Sequence, residues 1–244
     1  MKRLLISALL VAFSVLLSAQ DRKLDAVIEY NHASFTMSSP TSGVYKVKMK
    51  VQVMNKDAAD VAYLQIYSDG FRSLSSFSGT LTSGGKTIKK YKMSDLKSVS
   101  MAEGGITDGS VSYLQPVAPV PYTVEYTYEV TYKNGFISFP SFVPLSDPDV
   151  TMTASSYVLM LPAGTEIMYK SSMEPVKESA GKNDVYTWAT GSSEGYVYEH
   201  NMPAFSRRFH IYMLRRSHSH MPVRLDLRQI GKVQVCGYSI SRKM

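Results

Sequence analysis

The sequence predicts an all-β fold, an antiparallel two-sheet β-sandwich with Greek-key-like connections, and three observations lead to this prediction. Apolar and polar residues alternate strictly in several stretches, turn signals separate these stretches, and no window from residue 20 to 205 keeps a helical period. Many short strands joined by regular turns are typical of a sandwich. The strands of a membrane barrel also alternate apolar and polar residues, but the lipid-facing band of a barrel would not tolerate the lysine rows found here.

Two stretches carry the alternation most clearly. From Tyr45 to Val53, apolar residues alternate with lysines and a glutamine. From Tyr122 to Tyr132, tyrosines and valines alternate with threonines and glutamates. Since successive side chains of a strand point to opposite faces, each stretch predicts a strand with one buried and one wet face.

The second stretch runs into Asn134-Gly135, the strongest short hairpin signal, and Phe136 to Phe139 is the predicted returning strand. A short helical turn is expected near Ser94 to Lys97. The turn signals include Ser39-Pro40, Asp69-Gly70 and Gly181-Lys182-Asn183. Further strands are predicted over Ala26 to Tyr30, Ser34 to Met37, Ala62 to Tyr67, Leu74 to Leu81, Thr87 to Tyr91, Tyr157 to Leu161, Glu166 to Tyr169, Val185 to Ala189 and Tyr196 to His200.

Residues 1–19 have the pattern of a cleavable secretory signal. A basic start is followed by an apolar run from Leu4 to Leu17, which is too short to span a bilayer, and by small residues that suit cleavage after Ala19 or one bond later. An uncleaved anchor is the disfavoured alternative. We therefore expect export to the periplasm or the extracellular space, with no membrane span after cleavage.

Residues 206–244 differ in composition from the predicted sandwich at 20–205. They hold nine Lys and Arg against one acid, Asp226, whereas eighteen basic and nineteen acidic residues precede them. The net charge of +7 therefore belongs to this tail, and the body gives no reason to expect nucleic-acid binding. The tail is interpreted either as a disordered basic segment or, preferably, as the product of a lost reading frame, because it shows no strand or helix period.

Few residues suggest chemistry. His32 and His200 could orient a nucleophile but lack a partner at a recognisable spacing, and Asp147 with Asp149 is a weak pattern for Ca²⁺. The only cysteine, Cys236, lies in the tail, and its spacing from the tail histidines, His210, His218 and His220, fits no structural zinc site. We predict no catalytic residue, metal or cofactor.

The tyrosines of the second alternating stretch permit two interpretations. The favoured one places them in the core or in cross-strand pairs, because tyrosine forms strands well. The alternative is a ligand-binding face, since tyrosine rings stack and their hydroxyls form hydrogen bonds. That candidate surface consists of Tyr122, Tyr126, Tyr128 and Tyr132.

Seven segments form an ordered series between Asp25 and Phe205: Asp25 to Ile28, Lys46 to Asn55, Tyr63 to Phe71, Ala102 to Ile106, Pro121 to Val130, Ser156 to Gly164 and Glu199 to Ala204. This series resembles the domain of unknown function that precedes a transglutaminase-like domain in many exported bacterial proteins. The resemblance extends from Asp25 to Phe205.

The resemblance implies a β-sandwich accessory domain, followed in complete members by a core with a Cys-His-Asp triad. Eight residues follow Cys236 and none is His or Asp, so the chain is expected to be no enzyme. The predicted function is a non-catalytic module of a truncated transglutaminase-like protein that recognises a substrate or partner. The alternative is a free-standing exported protein that binds a glycan or peptide; the partner in either case is an unidentified protein, peptide or glycan.

Overall fold

The computed structural model describes residues 25–101, 108–136, 138–144, 150–171, 173–193 and 212–215. These residues form fourteen strands and two short 3-10 helices, Lys56–Ala62 and Met93–Asp95. None of the helices in these ranges is long and apolar enough to cross a membrane. In chain order the strands are β1 Ala26–Ser39, β2 Ser42–Val53, β3 Leu64–Ser68, β4 Arg72–Ser83, β5 Lys86–Lys92, β6 Lys97–Ser100, β7 Ser110–Leu114, β8 Tyr122–Tyr132, β9 Val150–Met152, β10 Ser155–Pro162, β11 Ile167–Lys170, β12 Val176–Ala180, β13 Asn183–Thr190 and β14 Tyr212–Arg215.

Nine of the described strands form one large sheet in the order β12-β13-β10-β1-β2-β8-β4-β5, with β9 beside β1. A small sheet has the order β3-β7-β6, and β11 pairs with β14. Strand β8 inserts between β2 and β4, although both precede it in the chain. The all-β prediction, with a large and a small sheet, is confirmed.

The core lies between the large sheet and the layer that carries the small sheet. Leu64 and Ile66 of β3 belong to the same buried cluster as Val51, Val124 and Leu159 of the large sheet. The central strands β1, β2, β8 and β10 contribute alternate residues to it, as the period of a strand requires. The largest fully buried side chains are Trp188, Tyr126, Tyr157 and Phe35.

The large sheet is not purely antiparallel, which corrects one part of the prediction. Strand β1 pairs in parallel with β10, from Asn31 opposite Ser155 to Thr36 opposite Met160. It also pairs in parallel with β9. Parallel strands cannot be joined by a tight turn. The paired segments lie more than a hundred residues apart in the chain, so the pairing leaves no local trace in the sequence.

The predicted return strand from Phe136 to Phe139 is wrong. Phe136 and Phe139 lie outside all strands, and Ser138 makes only an isolated bridge. The Asn134-Gly135 turn forms, with φ of 63° and 99°, but both edges of β8 are already paired with β2 and β4. A returning strand would therefore have no free edge beside β8.

Other predicted strands shift or merge. The two predicted between Ala26 and Met37 form the single strand β1, with a register irregularity between Ile28 and Tyr30. Strands β6, β7, β9 and β12 were not predicted, because each is only three to five residues long. The predicted strand from Tyr196 to His200 and the signal segment lie outside the described residues.

The prediction of a tail without regular structure is wrong at residues 212–215. There β14 pairs antiparallel with β11, with Tyr212 opposite Lys170 and Arg215 opposite Ile167. The apolar run from Ile211 to Leu214 supplies residues that favour a strand, and β11 offers it a partner that sequence inspection does not show. The rest of the tail lies outside the described residues.

Candidate functional site

Three turns meet at one end of the large sheet and enclose a cleft of about 760 Å³, which we call the turn cleft. They are the β1–β2 turn, the β3–β4 turn and the segment that follows β8. This volume falls within the usual range for small-molecule sites. The lining residues are Pro40, Thr41, Asp69, Phe71, Arg72, Tyr132, Asn134, Gly135, Phe136, Ser138, Phe139, Pro140 and Ser141.

Backbone hydrogen bonds tie the three turns together. Gly135 N donates to Thr41 O at 3.0 Å, and Lys133 N donates to Phe71 O at 2.8 Å. The Asn134 side-chain amide donates to Gly70 O at 3.2 Å. Since Asn and Gly are the residues that best tolerate positive φ, the Asn134-Gly135 pair allows β8 to end in a turn that reaches both neighbours. These hydrogen bonds between the three turns therefore hold the walls of the cleft in place.

Asp69 and Arg72 form the charged part of the lining. Asp69 Oδ1 accepts hydrogen bonds from the backbone N–H groups of Phe71 and Arg72, both at 2.9 Å, and Arg72 Nε donates to Asp69 Oδ2 at 2.9 Å. The Arg72 guanidinium also lies 5.3 Å above the centre of the Tyr67 ring. Burial opposes the charge of Arg72, but Tyr132 and Asp69 outweigh it and raise the Arg72 pKa. The pair brings no net charge to the cleft.

Aromatic rings form the floor of the turn cleft. Phe35 packs edge-to-face against Tyr132, Phe136 and Phe139, with ring centres 5.3 to 5.5 Å apart. Gly43 of β2 makes room for this cluster, because a Cβ there would overlap the Phe35 ring and lie 2.9 Å from Thr36 O. At the mouth, by contrast, the Phe71 side chain is 57% exposed. The cleft thus combines a packed apolar floor with one accessible ring.

The tyrosines of β8 do not form an exposed surface. Tyr122, Tyr126 and Tyr132 are 3%, 0% and 8% exposed, and Tyr128 is half-buried. Tyr126 Oη donates a hydrogen bond of 2.8 Å to Ala62 O, which fastens the large sheet to the layer above it. The alternative interpretation of these four residues as a binding face is therefore corrected; Tyr132 alone reaches the turn cleft, as part of its lining.

Residues 39–193 match the family DUF3857, a domain of unknown function with a solved structure. The chain belongs to this family. Every residue that lines the turn cleft lies inside the matched range, while Phe35, which packs against the floor, precedes it. No curated protein sequence matches the chain significantly.

The fold of the DUF3857 chain recurs in a solved structure. A crystal structure of "a putative protease from Parabacteroides distasonis ATCC 8503" has a TM-score of 0.66 and 14% identity, over 79% of this chain and 40% of that one. At this identity the similarity shows a shared fold. A mutant of a two-domain M1 zinc metallopeptidase bound to L-arginine has a TM-score of 0.36 and 12% identity, over 79% of this chain and 43% of that one. The chain thus spans well under half the length of both.

His32, one of the two histidines considered for catalysis, lies on the open face of the large sheet. Its Nδ1 is 2.8 Å from Ser156 Oγ, and its ring stacks on Tyr30 with ring centres 5.4 Å apart. Lys48 Nζ lies 5.2 Å above the Tyr30 ring and 3.2 Å from Glu125 Oε1. Hydrogen bonds from Tyr30 and Lys48 lower the Glu125 pKa against the opposing effect of burial. The sequence did not predict the Ser156–His32 pair, because 124 residues separate its members.

The remaining sequence candidates fall on parts of the chain that the structure does not describe. Asp147, Asp149, His200, the tail histidines and Cys236 lie outside the described residues. Among the residues that the structure does describe, no three His, Cys, Asp or Glu side chains converge on a point that could hold a metal ion.

A second, smaller cleft lies beside the β10–β11 turn. It encloses about 400 Å³ and is lined by Tyr169, Lys177, Asp184 and Tyr186, among others. Asp184 accepts hydrogen bonds from Gly164 N at 3.2 Å and from Ser179 Oγ at 3.3 Å. The Gly164 amide, together with Lys177, lowers the Asp184 pKa. These bonds brace the turn, so we interpret Asp184 as a structural residue.

Proposed function

We propose that the DUF3857 domain of this chain is the non-catalytic recognition module of an exported transglutaminase-like protein. The turn cleft is the observation that carries the proposal. It is of ligand size, its walls are joined by hydrogen bonds between turns, and it presents polar groups beside an accessible aromatic ring. Binding sites commonly have this combination of a preformed apolar cavity and a few convergent polar groups.

The open face of the large sheet is a weaker candidate for a catalytic site than the turn cleft is for a ligand-binding site. Ser156 and His32 lie at the distance of a nucleophile–base pair, but they stand on the open face of the large sheet, where His32 is exposed. Acyl transfer needs donors aimed at a developing oxyanion and a pocket that excludes water. The described residues therefore support a role in recognition, through the turn cleft, better than a hydrolytic role, through Ser156 and His32.

The proportions of the matched structure support a module within a longer protein. The chain spans 40% of the Parabacteroides protein, which is named "a putative protease". An accessory domain beside a catalytic domain would have such proportions. In the proposed arrangement the catalytic partner is a core with a Cys-His-Asp triad, and the DUF3857 domain holds part of its substrate or a partner protein.

The DNA downstream of the coding sequence tests this proposal directly. Translation in all three frames should reveal a core with Cys, His and Asp in that order. No such core in any frame would contradict the accessory role. In parallel, the purified chain should neither hydrolyse nor transpeptidate amide substrates; turnover that disappears in Ser156→Ala would contradict the non-catalytic part of the proposal.

A free-standing exported protein that binds a glycan or peptide is the second candidate. It is favoured by the same cleft, since the whole lining comes from this one domain. Absence of a downstream core, together with ligand binding by the chain alone, would select this candidate over the accessory role.

A further inference from the structure

We infer that the turn cleft binds an uncharged carbohydrate, with a sugar ring stacked on Phe71. Because the inference names the ligand class of the proposed recognition site, it rests on the proposed function. The reasons lie in the presentation of the Phe71 ring, the charge of the lining and the backbone groups at the cleft that already have hydrogen-bond partners.

The Phe71 ring is exposed on a backbone that is held at both of its polar groups. Phe71 N donates to Asp69 Oδ1 at 2.9 Å, and Phe71 O accepts from Lys133 N at 2.8 Å. Single exposed apolar side chains are common and need no explanation alone. This ring, however, stands at the mouth of a cleft with a packed aromatic floor, which gives the apolar face of a flat ligand a fixed surface to lie on.

The lining is electrically neutral. Its two charged residues are Asp69 and Arg72, and each is the other's partner at 2.9 Å. A phosphate or carboxylate would meet the Arg72 guanidinium, which is already paired with the Asp69 carboxylate. A cation would meet the Asp69 carboxylate, which is already paired with the guanidinium. The other polar groups of the lining are uncharged hydroxyls and an amide, which suit the hydroxyls of a neutral sugar. They belong to Thr41, Asn134, Ser138 and Ser141.

The backbone around the cleft does not favour a peptide. One common mode of peptide recognition adds the peptide as a strand to an open sheet edge. Strand β8, which ends at the cleft, is paired on one side with β2 and on the other with β4. The carbonyls of Thr41, Gly70 and Phe71 already accept hydrogen bonds from the neighbouring turns. Strand addition is therefore blocked at β8, and recognition by side chains and ring stacking, a mode that suits a carbohydrate, is left.

Binding of defined oligosaccharides by the full chain tests the inference. The probes are cellotetraose, xylotetraose, mannotetraose and galactotetraose, with oligogalacturonate as the charged comparator and a pool of neutral peptides as the competing class. We expect calorimetric binding of at least one neutral probe, and little weakening on raising the salt concentration, because no charge pair forms. Phe71→Ala should weaken binding by about tenfold or more through loss of the stacked ring. Phe71→Trp should retain it.

Ile88→Ala is the matched control, because Ile88 is 56% exposed on β5 and does not line the cleft. It should bind as the wild type does. Binding of oligogalacturonate alone, or neutral-probe affinity unchanged in Phe71→Ala, would overturn the inference. Loss of peptide binding in Phe71→Ala with all carbohydrates silent would overturn the carbohydrate class while supporting recognition at the cleft. Catalytic turnover by the chain would instead contradict the proposed function.

Discussion

Tyr126 Oη donates a buried hydrogen bond of 2.8 Å to the carbonyl of Ala62, which ends the first 3-10 helix, 64 residues earlier in the chain. The bond joins the middle of β8 to the layer that carries the small sheet. Burial raises the Tyr126 pKa far above its ordinary value, so the hydroxyl stays neutral and remains a donor. Both side chain and carbonyl would lose their partner if the bond were broken.

Tyr126→Phe should therefore destabilise the domain. Removal of the hydroxyl leaves a buried carbonyl without a donor, at a cost of about 1 to 3 kcal/mol. Urea unfolding measures the change. Tyr113→Phe is the control, because Tyr113 is half-buried on β7 and should tolerate the same change with little effect. Equal losses in the two variants would contradict the importance of the Tyr126–Ala62 bond.

Gly43→Ala should disturb the floor of the turn cleft. The new Cβ would overlap the Phe35 ring, which also packs against Tyr132, so the aromatic cluster has to move. Overpacking of this kind costs about 1 to 3 kcal/mol. Gly191→Ala is the matched control, because a Cβ there meets nothing within 4 Å. Thermal unfolding compares the two, and a Gly43→Ala midpoint equal to that of Gly191→Ala would contradict the crowding at Phe35.

Asn134→Ala should lower stability more than Asn134→Gly does. Both variants lose the side-chain hydrogen bond to Gly70 O. Only alanine is strained by the left-handed backbone at φ 63°, which costs about 1 to 2 kcal/mol of folding free energy. Chemical denaturation measures the difference. If the two variants proved equally stable, the left-handed turn at the end of β8 would not be a constraint on this position.

The lowered pKa of Asp184 makes stability depend on pH in the acid range. Its charged form is favoured by the Gly164 amide and by Lys177, so the stabilisation is present above the ordinary value of 3.8 and is lost as the pH falls through the lowered folded-state pKa. Asp184→Asn should be less stable than the wild type at neutral pH, with a gap that narrows below pH 3.8. A gap that stays constant across that range would contradict the role given to the charge.

The sequence predicts those parts of the fold whose causes are local. Strand β8 alternates because one face is buried, and its bounds agree with the predicted stretch from Tyr122 to Tyr132. The parallel pairing of β1 with β10, and the absence of a partner for Phe136 to Phe139, depend on which edges other strands occupy. Strand β12 has five exposed residues, so burial imposes no pattern on it.

The candidate site was missed for the same reason. Its three turns were each visible as Ser39-Pro40, Asp69-Gly70 and Asn134-Gly135, but their meeting point depends on the insertion of β8 between β2 and β4. Alternation identified the tyrosines that share a face without showing which layer covers it. Phe71 carried no signal of its own, because a single apolar residue after a turn is ordinary in any β protein.

Mapping of amide chemical shifts in the uniformly ¹⁵N-labelled chain tests the central claim, that recognition takes place in the turn cleft, most directly. The probes are the neutral tetrasaccharides and the neutral peptide pool, each titrated into the full chain. The account predicts that shifts cluster at the three turns, around Thr41, Phe71 and Asn134. Shifts centred instead on His32 and Ser156 of the open face, or no shifts with any probe, would contradict it.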